Sequence, residues 1–205
     1  MKTFAIIPIK SLQNAKTRLA SVLSPAERAD LARDMLLHVV DTLTRSSAIE
    51  RIAVISQEPA ELDLPPSVTV LPQTLPGLNN LLEQGREWAV SCGAEALLTI
   101  FADLPLLTTG DISRIVELGV QPCTVVLAPD RHNCGTNAFL SHPPALARFA
   151  FGPSSLEAHV ALARSAGATV HLLTAPGLAL DIDTLDDLGQ LEAHRIATAM
   201  EYAFS

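Results

Sequence analysis

The chain predicts an α/β fold, a mostly parallel sheet flanked by helices, in a single domain spanning 1–205. Short, β-branched apolar runs alternate with longer segments of helical periodicity along its whole length. The 205 residues suit one sizeable core and leave little room for a second. The apolar mass is Leu, Ala, Val and Ile, with only 4% aromatics, which is the usual material of a sheet covered on both faces.

Thr3 to Pro8 is short and apolar, as a buried first strand should be. Ser24-Pro25-Ala26-Glu27 then offers an N-cap, a proline at the first helical position and a capping-box acid. Leu31, Met35, Leu36, Val39, Val40 and Leu43 follow at spacings of three and four, one apolar helix face. Arg51 to Ile55 and Val68 to Leu71 read as strands separated by a proline-rich loop. Leu78 to Cys92 reads as a helix, and Ala96 to Phe101 as a buried strand running into Asp103. A short helix near Asp111 to Leu118 leads to a strand from Cys123 to Ala128. Pro153 to Ala166 is helical, with Leu156, Val160 and Ala163 on one face; Thr169 to Leu173 is a strand; Thr184 to Ala197 is the last helix.

The net charge of −8 repels phosphate backbones, and no cationic cluster beyond Lys10, Lys16 and Arg18 offsets it, so nucleic-acid binding is not expected. Anionic small molecules remain possible ligands where a few cations and a metal share one cleft. Cys92, Cys123 and Cys134 have no CxxC spacing and are odd in number, which suits reduced thiols in a cytoplasmic protein. Pro8 and Lys10 interrupt the first apolar run, and no run approaches the ~20 residues a membrane span needs.

In a sheet of this kind ligands bind beyond the carboxyl ends of the strands. Four segments fall there. The loop after the first strand carries Lys10, Lys16 and Arg18, cations suited to a triphosphate; its bland reading is a solvated basic loop. Neither GxxxxGK[ST] nor GxGxxG is present, so side chains rather than glycine backbone would hold phosphate. Asp103, directly after a buried strand and two residues before Pro105, suits Mg²⁺, or else caps a turn. Asp181 and Asp183, one residue apart at the end of a short strand, would project to one side as further metal ligands; Thr184 and Asp187 alternatively make a helix-capping pair. Asp130 to Asn137 is followed by Phe151-Gly152-Pro153-Ser154-Ser155, where a helix N-terminus would accept an anion or a serine would merely cap it. His132 and Cys134 read as ordinary loop residues.

In this order, PIKSLQNAKTRLA, Gly77-Leu78-Asn79, Ala102-Asp103-Leu104-Pro105, Gly135-Thr136-Asn137, FGPSS and DIDT closely resemble the 2-phospho-L-lactate guanylyltransferase family, across almost the whole chain. The resemblance implies a nucleotidyltransferase-type, Rossmann-like (GT-A-like) domain acting in coenzyme F-420 biosynthesis. It implies GTP and a small phosphorylated acid as substrates; relatives use phosphoenolpyruvate or 3-phosphoglycerate. By the same resemblance Asp103, Asp181 and Asp183 surround Mg²⁺, Thr136, Gly152 and Ser155 hold the acid, and Gly77, Leu78 and Asn79 lie where the base is read. A homodimer is implied by the same analogy. The family often has acids after the second strand and before Gly77, where this chain has Ser56-Gln57 and Thr74-Leu75-Pro76. Two rivals remain: a nucleotidyltransferase with another acceptor, such as the molybdenum cofactor or a sugar phosphate, or a catalytically silent nucleotide-binding protein. The first usually has a glycine-rich first loop, absent here, and retention of the acids and cations speaks against the second.

Overall fold

The computed structural model describes residues 1–203. Seven strands form one sheet: β1 (Thr3–Ile9), β2 (Arg51–Ser56), β3 (Val68–Pro72), β4 (Ala96–Ile100), β5 (Thr124–Pro129), β6 (Thr136–His142) and β7 (Thr169–Leu172). Their order is β3-β2-β1-β4-β6-β5-β7. The β3-β2, β2-β1, β1-β4 and β5-β7 pairs are parallel, and β6 lies antiparallel between β4 and β5. The helices are α1 (Pro25–Arg45), α2 (Leu78–Ser91), α3 (Thr109–Leu118), α4 (Ser155–Ser165), α5 (Pro176–Ala179) and α6 (Leu185–Ala203).

Strand alternation sorts the core into two layers. Ala5 and Ile7 face Leu36, Val39, Val40 and Leu43 of α1 with Ile112 and Ile115 of α3; Phe4 and Ile6 face Leu81, Leu82 and Ala89 of α2 with Ala163 of α4. Each fully buried Leu, Ile or Val contributes on the order of 2 kcal/mol, so packing rather than propensity holds these helices. Gly85 lets α2 lie close on the sheet: a Cβ there would stand 2.4 Å from the Ile55 Cδ1. At the start of α1 the Ser24 hydroxyl accepts from Glu27 N–H while the Glu27 carboxylate accepts from Ser24 N–H, the capping box the sequence announces.

Two elements depart from the sequence reading. β6 occupies a segment to which the sequence assigns no element, because its apolar run is only Ala138-Phe139-Leu140, between Thr136-Asn137 and the break at Pro143. Leu180–Asp183 belongs to no strand; α5 precedes it, and its Ile182 N–H donates to the Asp103 carbonyl at 3.2 Å. Smaller shifts have local causes. Ser154 has φ 55°, so α4 starts at Ser155 rather than Pro153, and Thr108 and Asp111 form a capping box that starts α3 at Thr109.

Because β6 is antiparallel, its first residue lies at the same edge as the carboxyl ends of β1 and β4. Ile100 pairs with Ala138, and the Phe101 N–H donates to the Asn137 carbonyl. Thr136 is thereby brought to the edge that carries Lys10 and Asp103.

Candidate active site

Lys16 is the centre of the site. The loop after β1 ends in a short 3₁₀ turn, Thr17–Leu19, whose Leu19 is fully buried against Met35, Leu180 and Ile182. That apolar contact places the basic loop beside Asp181 and Asp183, which flank the buried Ile182. The Lys16 Nζ donates to Asp103 Oδ2 at 2.7 Å and to Asp183 Oδ1 at 3.0 Å. Its side chain is only 9% exposed. Burial alone would depress the ammonium pKa, but attraction and hydrogen bonding from both carboxylates outweigh it and hold the pKa above the usual lysine value.

This cluster opens onto a cavity of about 420 Å³. Lys10, Arg18, Gly77, Leu78, Asp103 and Asp183 line it with Lys16, so residues expected at the triphosphate, the base and the metal meet around one space. Arg18 is largely exposed, 4.0 Å from Asp183. Gln57, which stands where the family often has an acid, and Gln73, not singled out in the sequence, also line the cavity. Asn79 does not: its amide nitrogen donates to the Phe151 carbonyl at 3.1 Å and its amide oxygen accepts from the Phe151 N–H at 2.9 Å. Asn79 therefore braces the loop that carries Gly152.

Asp181 sits just behind the Lys16 cluster, half-buried. Its Oδ1 accepts from the Asn137 amide at 3.1 Å, and that amide also donates to the Leu178 carbonyl at 3.0 Å. Burial first, then repulsion from Asp103, raises the Asp181 pKa. Asn137 thus positions this acid. Among the described residues no three His, Cys, Asp or Glu side chains form a ready-made metal centre. The donor set nonetheless fits Mg²⁺, a hard cation commonly held by one or two carboxylates and completed by substrate phosphates. Asp103 and Asp183 would supply the carboxylates, with Asp181 near enough to feel the charge of Asp103. The alternative capping pair is also formed. Asp187 accepts from the N–H groups of Asp183 and Thr184 and from the Thr184 hydroxyl.

Thr136 and Ser155 lie side by side, and neither they nor Gly152 is among the residues that line the cavity. Asp130 shapes the approach, accepting from the N–H groups of His132, Cys134 and Gly135. The Ser155 hydroxyl donates to Thr136 Oγ1 at 3.4 Å, and neither Ser154 nor Ser155 caps α4 through its side chain. Gly152 has φ 153°, unfavourable for other residues, and a Cβ there would meet nothing within 4 Å. Its backbone borders open space. His159, fully buried, stands 3.0 Å from Thr136 Oγ1 and accepts from the Ala150 N–H at 2.9 Å. His159 belongs to no motif in the sequence, although its position, three residues after Leu156 and four before Ala163, puts it on the buried face of the helix.

A family model described as "Guanylyl transferase CofC like" matches residues 3–203. The chain belongs to this guanylyl transferase family. The chain is similar to a phosphoenolpyruvate guanylyltransferase from Rubrobacter xylanophilus, 41% identical over 94% of this chain and 95% of the relative. One of the same name from Sphaerobacter thermophilus is 39% identical over 95% and 94%. A 2-phospho-L-lactate guanylyltransferase from Methanothermobacter thermautotrophicus is 34% identical over 98% and 90%. Membership makes the chain a nucleotidyltransferase enzyme. Two solved structures agree on the fold. A crystal structure described as a nucleotide-diphospho-sugar transferase from Desulfovibrio desulfuricans superposes with TM-score 0.77 at 18% identity, covering 93% of this chain and 87% of the other. A nucleotidyl transferase from Methanothermobacter gives 0.64 at 16%, covering 96% and 99%. No helix among the described residues is long and apolar enough to cross a membrane.

Proposed function

We propose that this guanylyltransferase moves a guanylyl group from GTP to the phosphate of a small phosphorylated acid, with release of pyrophosphate, as a step toward coenzyme F-420. Phosphoenolpyruvate is the acceptor we favour, because the relatives at 41% and 39% identity carry that name and the 2-phospho-L-lactate enzyme stands at 34%. The observation that carries the reading is the Lys16 ammonium held between Asp103 and Asp183 at a cavity that Lys10 and Arg18 also line. In a chain of net charge −8, three cations at one cavity favour an anionic ligand there.

A phosphate oxygen of the acid attacks the α-phosphorus of GTP in line. The new P–O bond forms as the bond to the bridging oxygen breaks, and pyrophosphate leaves with that electron pair. The attacking phosphate has a second pKa of about 6 and is already anionic near neutrality, so no general base is needed. Lys10, Lys16 and Arg18 orient the triphosphate and offset charge on the leaving group. Mg²⁺, held by Asp103 and Asp183 with Asp181 nearby, would add charge neutralisation on the phosphates. Thr136, the Gly152 backbone and Ser155 hold the acid, the N-terminal end of the α4 dipole adding positive potential.

Pyrophosphate release tests this directly, with GTP, ATP, CTP and UTP each paired with phosphoenolpyruvate, 2-phospho-L-lactate, 3-phosphoglycerate and a sugar phosphate. Release with GTP and a phospho-acid, dependent on Mg²⁺, is expected. Turnover only with the sugar phosphate, or none with GTP, overturns the proposal.

A further inference from the structure

His159 is a buried imidazole that the proposed chemistry does not use. It lies on α4 with no solvent exposure, against the rings of Phe139 and Phe151 at centroid distances of 5.0 and 4.5 Å. Both ring nitrogens are engaged, and their partners determine its tautomer. The Ala150 N–H, 2.9 Å away, can only donate, so Nε2 must accept. A neutral ring then carries its proton on Nδ1, which faces Thr136 Oγ1 at 3.0 Å and donates to it. Burial supports the neutral form, depressing the pKa to about 4.

This has a consequence for Thr136. Its oxygen accepts from His159 Nδ1–H and from the Ser155 hydroxyl at 3.4 Å, which uses both lone pairs. The threonine hydrogen is left to donate elsewhere, as an anionic ligand requires. On its other edge the same ring holds the N–H that leads into Phe151 and Gly152. Lys or Arg could only donate at these two points, and a carboxylate would bury a charge. An imidazole does both jobs on one rigid, neutral frame.

We propose that His159 is a positioning residue of the acceptor pocket, orienting the Thr136 hydroxyl as a donor and fixing the Ala150–Gly152 backbone against it. The proposal rests on the assignment of Thr136, Gly152 and Ser155 to the phospho-acid. The loop does not depend on His159 alone. The Arg86 guanidinium donates to the Ala147 carbonyl at 2.8 Å and lies 4.1 Å from the Phe149 ring centroid, and Asn79 holds Phe151. Loss of the imidazole should therefore act locally.

The test pairs two variants with one measurement on the wild type. His159→Gln can keep an acceptor toward Ala150 but loses the rigid donor to Thr136; His159→Asn can keep a donor near Nδ1. His159→Gln should raise the KM for phosphoenolpyruvate about tenfold, as for one lost hydrogen bond, with the KM for GTP within about twofold. His159→Asn should recover part of that loss. Nitrogen-15 NMR of the wild type should show a neutral, Nδ1-protonated His159 whose resonance moves when phosphoenolpyruvate alone is added. An Nε2-protonated ring, unchanged acid KM in both variants, or equal rises in both KM values overturns the proposal. Ser155→Ala separates the causes. If it raises the acid KM while the His159 variants do not, His159 is only a core residue; if none of them does, the acceptor pocket itself is misassigned and both ideas fall. If neither His159 variant folds, the wild-type tautomer and its response to phosphoenolpyruvate decide.

Discussion

Replacing Lys16 with Met keeps much of the side chain's bulk and removes the charge that joins two carboxylates. Its Nζ lies 2.7 Å from Asp103 Oδ2 and 3.0 Å from Asp183 Oδ1, so those oxygens are at most about 5.7 Å apart. At an effective dielectric constant of about 20, two negative charges at that separation repel by roughly 3 kcal/mol. Asp183 is 46% exposed, and solvent reduces this to roughly 1–3 kcal/mol. Two opposite effects follow in Lys16→Met. Without nucleotide, the uncompensated carboxylates should bind Mn²⁺ or Mg²⁺ more tightly. With metal present, loss of one charged contact to phosphate should weaken GTP by roughly 1.5–3 kcal/mol, about 10- to 150-fold in Kd. The KM for the phospho-acid should move little. Calorimetric titration of the variant and wild type with metal alone, then with GTP at fixed metal, reads both effects. Unchanged GTP affinity together with unchanged metal affinity would refute this reasoning and return Lys16 to a purely structural ion cluster.

Three further outcomes are expected. Asp103→Asn should lower turnover at least ~100-fold while circular dichroism shows an intact fold, since it removes a charge where charge develops; full activity with unchanged Mg²⁺ dependence would take Asp103 out of the site. Ser155→Ala should raise the KM for the acid and spare that for GTP. Gly152→Val should be worse, because φ 153° strains any Cβ-bearing residue and the added atoms enter the open side of the loop; wild-type acid KM in both variants would reduce these residues to a helix start. The pKa of His159, about 4 in the fold against 6.5 in the unfolded chain, means that unfolding takes up a proton between those values. Stability should therefore rise with pH across that window, by up to roughly 3 kcal/mol, and be unaffected by this residue above it. His159→Gln should flatten that slope in urea titrations, and an equal slope in both proteins would contradict the depressed pKa.

The sequence alone determined the parallel core of the sheet, α1 with its capping box, and the strand ends where Lys10 and Asp103 lie. These are local properties: hydrophobic period, capping chemistry and breakers act within a few residues. β6 was not legible, because its apolar run of three is shorter than a reliable period and its neighbours come from residues 96–100 and 124–129. Yet its antiparallel course is what carries Thr136 to the ligand edge. Asn79 reads in the sequence as part of a base-binding motif, but its amide is engaged by Phe151. Lys16 reads as a phosphate ligand, but its bonds to Asp103 and Asp183 span 87 and 167 residues. His159 sits unremarked on a helix face until Thr136 and Ala150 close around it. Such pairings depend on how the sheet is ordered and which loops meet at its edge. Long-range packing of Leu19, Leu180 and Ile182 decides them, and no local pattern encodes which of many possible apolar contacts will form.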